Sequence, residues 1–194
     1  MDRKNRPRSI VIGISMGGVG ALKQLLGELP PDFPVPILIV QHLEPNSGDS
    51  LAHLLDAMCP IHVKEADEQE VPQGGTVYLA PPNYHLVVEP DGRLGLTVDP
   101  AVNYARPSID VLFETAAEAF GPDVVGIILT GAGYDGSHGL QRIREKGGLT
   151  IVQNPEDAVA SSMPKQALLH VRADHVVPLT KLPQLLIELS QKER

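Results

Sequence analysis

Five apolar runs of strand length, Ile10–Ile14, Ile37–Val40, Thr76–Ala80, Val124–Leu129 and Leu149–Val152, constrain this chain more than anything else in it. They are β-branched or leucine-rich and mostly lack polar alternation, as expected of strands buried on both faces. Stretches of helical period alternate with them, over residues 17–29, 48–58, 108–120 and 135–148, the last closed by Gly147 as a C-terminal cap. A final helix over 182–191 covers one face. The alternation predicts a doubly wound α/β sheet. Residues 85–98 break it: Pro90-Asp91-Gly92 stands between two short strands and reads as an antiparallel hairpin inserted in the sheet order. No repeat, low-complexity tract or linker divides the chain, which predicts one domain over residues 9–194 after a flexible basic arm of residues 1–8.

Composition removes several classes of function. A chain of 194 residues, 42% of them hydrophobic, is long enough for one sizeable core. Its net charge of -8 has the wrong sign for gathering nucleic-acid phosphates or anionic lipid. The single cysteine, Cys59, cannot form an internal disulfide, and no run of 18 or more apolar residues suggests a membrane span. The segment MDRKNRPR leads into no signal-peptide pattern, so the expected location is the cytoplasm. Neither H-E-x-x-H nor C-x-x-C occurs, and no metal or other cofactor is expected.

In a doubly wound sheet, ligands bind beyond the carboxyl ends of the strands where the winding reverses. Ser15 follows the first strand, His42 ends PILIVQH, and VVGIILTGAGYDG runs into a glycine-rich loop carrying Asp135. A hydroxyl, an imidazole and a carboxylate on one edge are the groups acyl transfer needs. Histidine takes the serine proton, and the carboxylate fixes the tautomer and stabilises the imidazolium. In Gly13-Ile14-Ser15-Met16-Gly17 a sharp strand-to-helix turn lifts the hydroxyl above the sheet. Backbone N–H groups near Met16, Gly17, Ala132 and Gly133 are candidate oxyanion donors. Other readings stand beside this one. A glycine-rich turn after strand one also suits a dinucleotide, although G-x-G-x-x-G requires glycine where Ser15 stands. His42 has six other histidines as competitors, and Asp135 equally suits the N-cap of the following helix.

The stretches IGISMGG, VQHLEP, YLAPPNYHL, RPSIDVLF, GIILTGAGYDGSHGL and QNPEDAVASSMPKQAL, in this order and spacing, resemble the catalytic domain of the CheB family of chemotaxis protein-glutamate methylesterases from Ser9 to about Val177. The resemblance implies a three-layer α/β/α domain with a mainly parallel sheet. It also implies hydrolysis of γ-glutamyl methyl esters on the helical cytoplasmic bundle of chemoreceptors, with deamidation of receptor glutamines in some members. The family's serine, histidine and aspartate match Ser15, His42 and Asp135. Two features depart from it. Only eight residues precede the first strand, where the family usually carries a phosphorylatable receiver domain, which leaves a separate regulatory protein as a further expected partner. Met16 stands where threonine or alanine is common, and Ala132 stands where methionine is common, so Met16 is expected to fill the space the loop methionine leaves. Arg106 is a candidate for pairing with acidic side chains of the receptor. The competing expectation is a regulatory binding module whose triad is vestigial.

Overall fold

The computed structural model describes residues 6–42 and 50–191. Nine strands and six α-helices follow one another as β1 (Ser9–Ile14), α1 (Gly18–Gly27), β2 (Ile37–Gln41), α2 (Ser50–Met58), β3 (His62–Glu65), β4 (Thr76–Leu79), β5 (His85–Val88), β6 (Leu94–Thr97), α3 (Ile109–Phe120), β7 (Val124–Ile128), α4 (Ser137–Glu145), β8 (Leu149–Gln153), α5 (Ser162–His170), β9 (His175–Val177) and α6 (Leu182–Ser190). Seven strands form one sheet in the order β3-β4-β2-β1-β7-β8-β9, every neighbouring pair parallel. The chain winds leftward from β1 through β2 and rightward through β7. The topological switch therefore lies at β1, between β2 and β7.

The five expected strands are all present, and their uniform apolarity has the expected cause. Every residue of β1, β2, β7 and β8 is buried, since helices cover both faces. Ile10, Ile12 and Ile14 face one layer, with Leu22, Leu25 and Leu26 of α1, Leu55 of α2 and Leu186 of α6. Val11 faces the other, with Leu112 and Phe113 of α3, Leu140 and Ile143 of α4, and Met163 of α5. The hairpin β5–β6 forms as an antiparallel pair, inserted in chain order between β4 and β7. It makes a small sheet of its own and leaves the parallel ladder unbroken.

The edge strands β3 and β9, four and three residues long, carry too little sequence for a periodic signal and form by pairing with β4 and β8. Gly147 ends α4 as expected, with φ of 83° and its N–H on the Arg144 carbonyl. Of the expected arm, residues 1–5 lie outside the described residues. Pro7 is buried, and Arg8 donates its N–H to Asp123 and sets its guanidinium 4.9 Å from the Phe120 ring centroid. Residues 43–49, with the start of the helix expected over 48–58, also lie outside. Among the described residues no helix is long and apolar enough to cross a membrane.

Candidate active site

Ser15 and His42 stand one residue beyond the last register pair of β1 and β2, Ile14 opposite Gln41. Adjacent strands lie about 4.8 Å apart, so the ladder itself brings the two residues side by side. The ladder continues into them: His42 N–H donates to the Ile14 carbonyl at 3.0 Å. On the other side of β1, Ser15 N–H donates to the Thr130 carbonyl at 3.0 Å, drawing the loop after β7 against the serine. That approach requires glycine at position 131. A Cβ there would lie 3.0 Å from Ser15 Cβ and 2.7 Å from Met163 Cε.

His42 Nε2 lies 2.8 Å from Asp135 Oδ2. An ionised carboxylate only accepts, so Nε2 carries the proton and Nδ1 is left as the basic nitrogen. This assignment reverses the ring of chymotrypsin-type triads, in which the carboxylate holds Nδ1. Among the described residues no hydrogen bond joins the Ser15 hydroxyl to His42; such contacts are often long before substrate arrives.

Asp135 is 4% exposed and accepts at both oxygens. Oδ1 receives Asn103 Nδ2 at 2.9 Å, Ser108 Oγ at 2.9 Å and Asp110 N–H at 3.2 Å, while Oδ2 receives Ile109 N–H at 2.7 Å besides His42. Burial disfavours the charge, but the bonds from His42, Asn103 and Ile109 outweigh it and hold the carboxyl below the ordinary aspartate range. The N-cap of α4 is Gly136, and Asp135 makes no cap there. Its carboxylate instead serves the free N–H groups at the start of α3, whose N-cap is Ser108. The exchange runs both ways: Asp110, in the first turn of α3, accepts Gly139 N–H of α4 at 2.7 Å. Asn103 Nδ2 spans the two carboxylates and also reaches Asp110 Oδ2 at 2.7 Å. Asn103 holds φ of 52°, a left-handed conformation asparagine tolerates better than most residues.

Burial pushes the Asp110 carboxyl upward; the Gly139 N–H opposes that and the neighbouring Asp135 charge adds to it. Four of the six other histidines make contacts elsewhere. His85, 1% exposed, accepts Ser108 N–H at Nδ1 and donates from Nε2 to the Pro100 carbonyl. His62 pairs with Asp56 at the surface, and His138 meets His170 ring to ring at 5.2 Å.

Among the described residues the backbone N–H groups of Met16, Gly17, Ala132 and Gly133 donate no hydrogen bond. Gly17 is the N-cap of α1 with φ of 81°, so the donors of Met16 and Gly17 stand at that helix start next to Ser15, while those of Ala132 and Gly133 belong to the loop after β7. Ala132, Gly133, Tyr134, Asp135, His42, Tyr104 and Arg106 line one cleft of about 310 Å³, and Ser15, Gly17, Gly18 and Gln41 line a neighbouring hollow of about 420 Å³. A larger groove of about 700 Å³, between the hairpin and α3, contains none of the candidate residues. Arg106 borders the cleft while its Nη1 donates to the carbonyls of Val98 (2.8 Å) and Asp99 (3.2 Å), so it also ties down the loop after β6. Met16 is 60% exposed, and the methionine packed under the glycine-rich loop is Met163. Among the described residues no group of three His, Cys, Asp or Glu side chains is placed to hold a metal ion.

Of the supporting residues, Asn103 lies outside every stretch that carries the resemblance, and Ser108 and Thr130 lie within RPSIDVLF and GIILTGAGYDGSHGL with no role of their own assigned there. Thr130 Oγ1 donates to the Met16 carbonyl at 2.9 Å and accepts Ala160 N–H at 2.9 Å, fastening the turn after β1 to the loop before α5. Only their places in the third dimension identify them.

Residues 10–186 match the CheB methylesterase family. The chain belongs to the CheB methylesterase family. A Leptospira interrogans protein, named provisionally as a protein-glutamate methylesterase/protein-glutamine glutaminase, is 46% identical over 183 residues, covering 94% of this chain and 95% of its own. The protein-glutamate methylesterase FrzG of Myxococcus xanthus is 42% identical over 179 residues, 92% of this chain but only 54% of that protein. The crystal structure of the Thermotoga maritima CheB methylesterase catalytic domain superposes with a TM-score of 0.90 at 37% identity, covering 94% of this chain and 98% of that one. The CheB fold and its class of chemistry, ester hydrolysis, thus extend over almost the whole chain.

Proposed function

We propose that the protein removes methyl esters from glutamate side chains on the helical cytoplasmic bundle of chemoreceptors, with Ser15 as nucleophile, His42 as base and Asp135 as the carboxylate behind it. The observation that carries this reading is the 2.8 Å bond from His42 Nε2 to the buried Asp135, which leaves Nδ1 basic at the switch point beside Ser15. Ser15 Oγ attacks the ester carbonyl carbon as its proton passes to His42 Nδ1. The oxyanion meets the free N–H groups of Met16 and Ala132, with Gly17 and Gly133 adjoining. Collapse breaks the bond to the methoxy oxygen, which takes the proton from His42 and leaves as methanol. A water activated by His42 then cleaves the acyl-enzyme, restoring Ser15 and releasing the glutamate carboxylate. From a receptor glutamine the same acyl-enzyme forms with loss of ammonia. Arg106, at the border of the cleft, offers a cation to acidic receptor side chains, and the cytoplasmic bundle as substrate makes the cytoplasm the place of action.

Mass spectrometry of a methylated receptor fragment incubated with the protein tests the reading directly. Loss of the methyl group is expected, and Ser15→Ala or His42→Ala should slow it by about 10⁴-fold or more, since the three residues act as a unit. A fluorophosphonate should label Ser15. An unlabelled serine with an unchanged fragment favours the alternative, a docking module with a vestigial triad, and full turnover by Ser15→Ala places the nucleophile elsewhere.

A further inference from the structure

The Gln41 side chain lies between the two residues that must be held in register. Its Nε2 donates to the Ser15 carbonyl at 3.0 Å and to the His42 carbonyl at 2.9 Å. Both partners are acceptors, so the amide can take only one orientation, and Oε1 must face the other way. There Oε1 is buried and unpartnered, pressed toward the start of α1, where a Cβ added to Gly18 would stand 1.8 Å from it. A buried acceptor that no protein donor meets is unfavourable and rare.

The Ser15 carbonyl also accepts Gly18 N–H at 2.9 Å, so two donors pin it from one side. Because a trans peptide points its C=O and N–H in opposite directions, pinning that carbonyl aims the Met16 N–H the other way. That N–H is one of the unpaired donors beside the Ser15 hydroxyl. The same carboxamide fixes the His42 carbonyl, while His42 N–H is held by Ile14.

We infer that Gln41 is a positioning residue of the reaction: its carboxamide sets the Ser15–Met16 peptide so that the Met16 N–H faces the developing oxyanion, and it holds the His42 backbone in step with the serine. The inference rests on the serine-hydrolase reading. It also explains why position 18 is glycine, since the three nearest atoms to an added Cβ all belong to the Gln41 carboxamide.

The test uses hydrolysis of the γ-methyl ester of a blocked glutamate, together with the rate of fluorophosphonate labelling at Ser15. Gln41→Met keeps the volume and removes the donors. It should lower kcat by roughly 10- to 100-fold, below the full loss of an oxyanion donor because the Met16 N–H remains present, with KM nearly unchanged and labelling slowed in parallel. Gly18→Ala in the native background should lower kcat comparably by displacing the amide. In a Gln41→Ala background, Gly18→Ala should cost nothing further, since the group it collides with is gone. Native kcat in folded Gln41→Met, or losses that simply add in the double variant, overturns the inference. If Gln41→Met does not fold, the Gly18→Ala comparison decides alone. Ser15→Ala, run alongside, separates the two ideas: persistent hydrolysis defeats the serine reading itself, whereas an inactive Ser15→Ala beside a fully active Gln41→Met defeats only the role of Gln41.

Discussion

At the scale of single residues, Asp135 joins the proposed chemistry to stability. Its carboxylate holds His42 and at the same time caps the start of α3, with five donors around it. Its folded-state pKa lies below the unfolded value of about 3.9, so its ionised form stabilises the native state above that pH, and the contribution is lost as pH falls through the folded value. Asp135→Asn should therefore be less stable than the native protein at pH 7 and should approach it below about pH 4. Urea titrations at several pH values measure the difference. A gap that is constant with pH would show that the charge contributes nothing. Asp110, raised chiefly by burial, works in the opposite direction, which makes the comparison with a single variant more informative than the native pH profile.

At the scale of elements, the site depends on how closely α3 and α4 approach, because each supplies the carboxylate region that caps the other. Gly139 permits the approach. A Cβ at this position would meet Phe113 Cβ at 2.5 Å and the Asp110 carbonyl oxygen at 3.0 Å, both parts of α3 that cannot swing aside. Gly139→Ala should destabilise the protein by about 1–3 kcal/mol, typical of overpacking, and should also lower turnover, since Asp110 accepts the N–H of that residue. Gly20 provides the contrast: it lies in α1, is exposed, and has nothing within 4 Å of an added Cβ. Gly20→Ala should stabilise by about 0.5–1 kcal/mol through helix propensity alone. Thermal melts of the two variants should move in opposite directions.

For the whole molecule, the part of the first hydrophobic layer that α6 supplies should be separable in energy from the site, although one sheet carries both. Leu186 of α6 is fully buried in the layer with α1 and lies outside every residue set that lines the cleft or the hollow by Ser15. Leu186→Ala should cost about 2–5 kcal/mol. In a chain of this size each kcal/mol lowers Tm by roughly 2–4 °C. Turnover per folded molecule at 25 °C should remain native, because the register of β2, β1 and β7 is set by backbone pairing rather than by that helix. A parallel fall in kcat and stability would mean that the sheet edge yields when the outer layer loosens.

The sequence by itself determined the sheet and the edge on which chemistry gathers. Unbroken apolar runs such as Ile37–Val40 can be buried only between two helical layers, and a residue that follows such a strand must emerge at its carboxyl end. Ser15, His42 and Asp135 were legible for that reason. Local sequence also specified the close of α4 at Gly147 and the hairpin turn at Pro90-Asp91-Gly92, because both depend on residues a few positions apart. What the tertiary structure alone decided was which groups surround those three. Asp135 also suited the cap of the helix that follows it, and its carboxylate instead meets the start of α3, some 26 residues earlier in the chain. Asn103 joins two carboxylates from different elements, and Gln41, in sequence merely the last polar residue of a strand, bonds to the carbonyls of Ser15 and His42. The short edge strands β3 and β9 exist only because β4 and β8 offer them a ladder. Periodicity records what each segment buries. The direction of a polar side chain is set by whichever unsatisfied donor or acceptor the folded chain brings within 3 Å, and that is a property of the packing between elements.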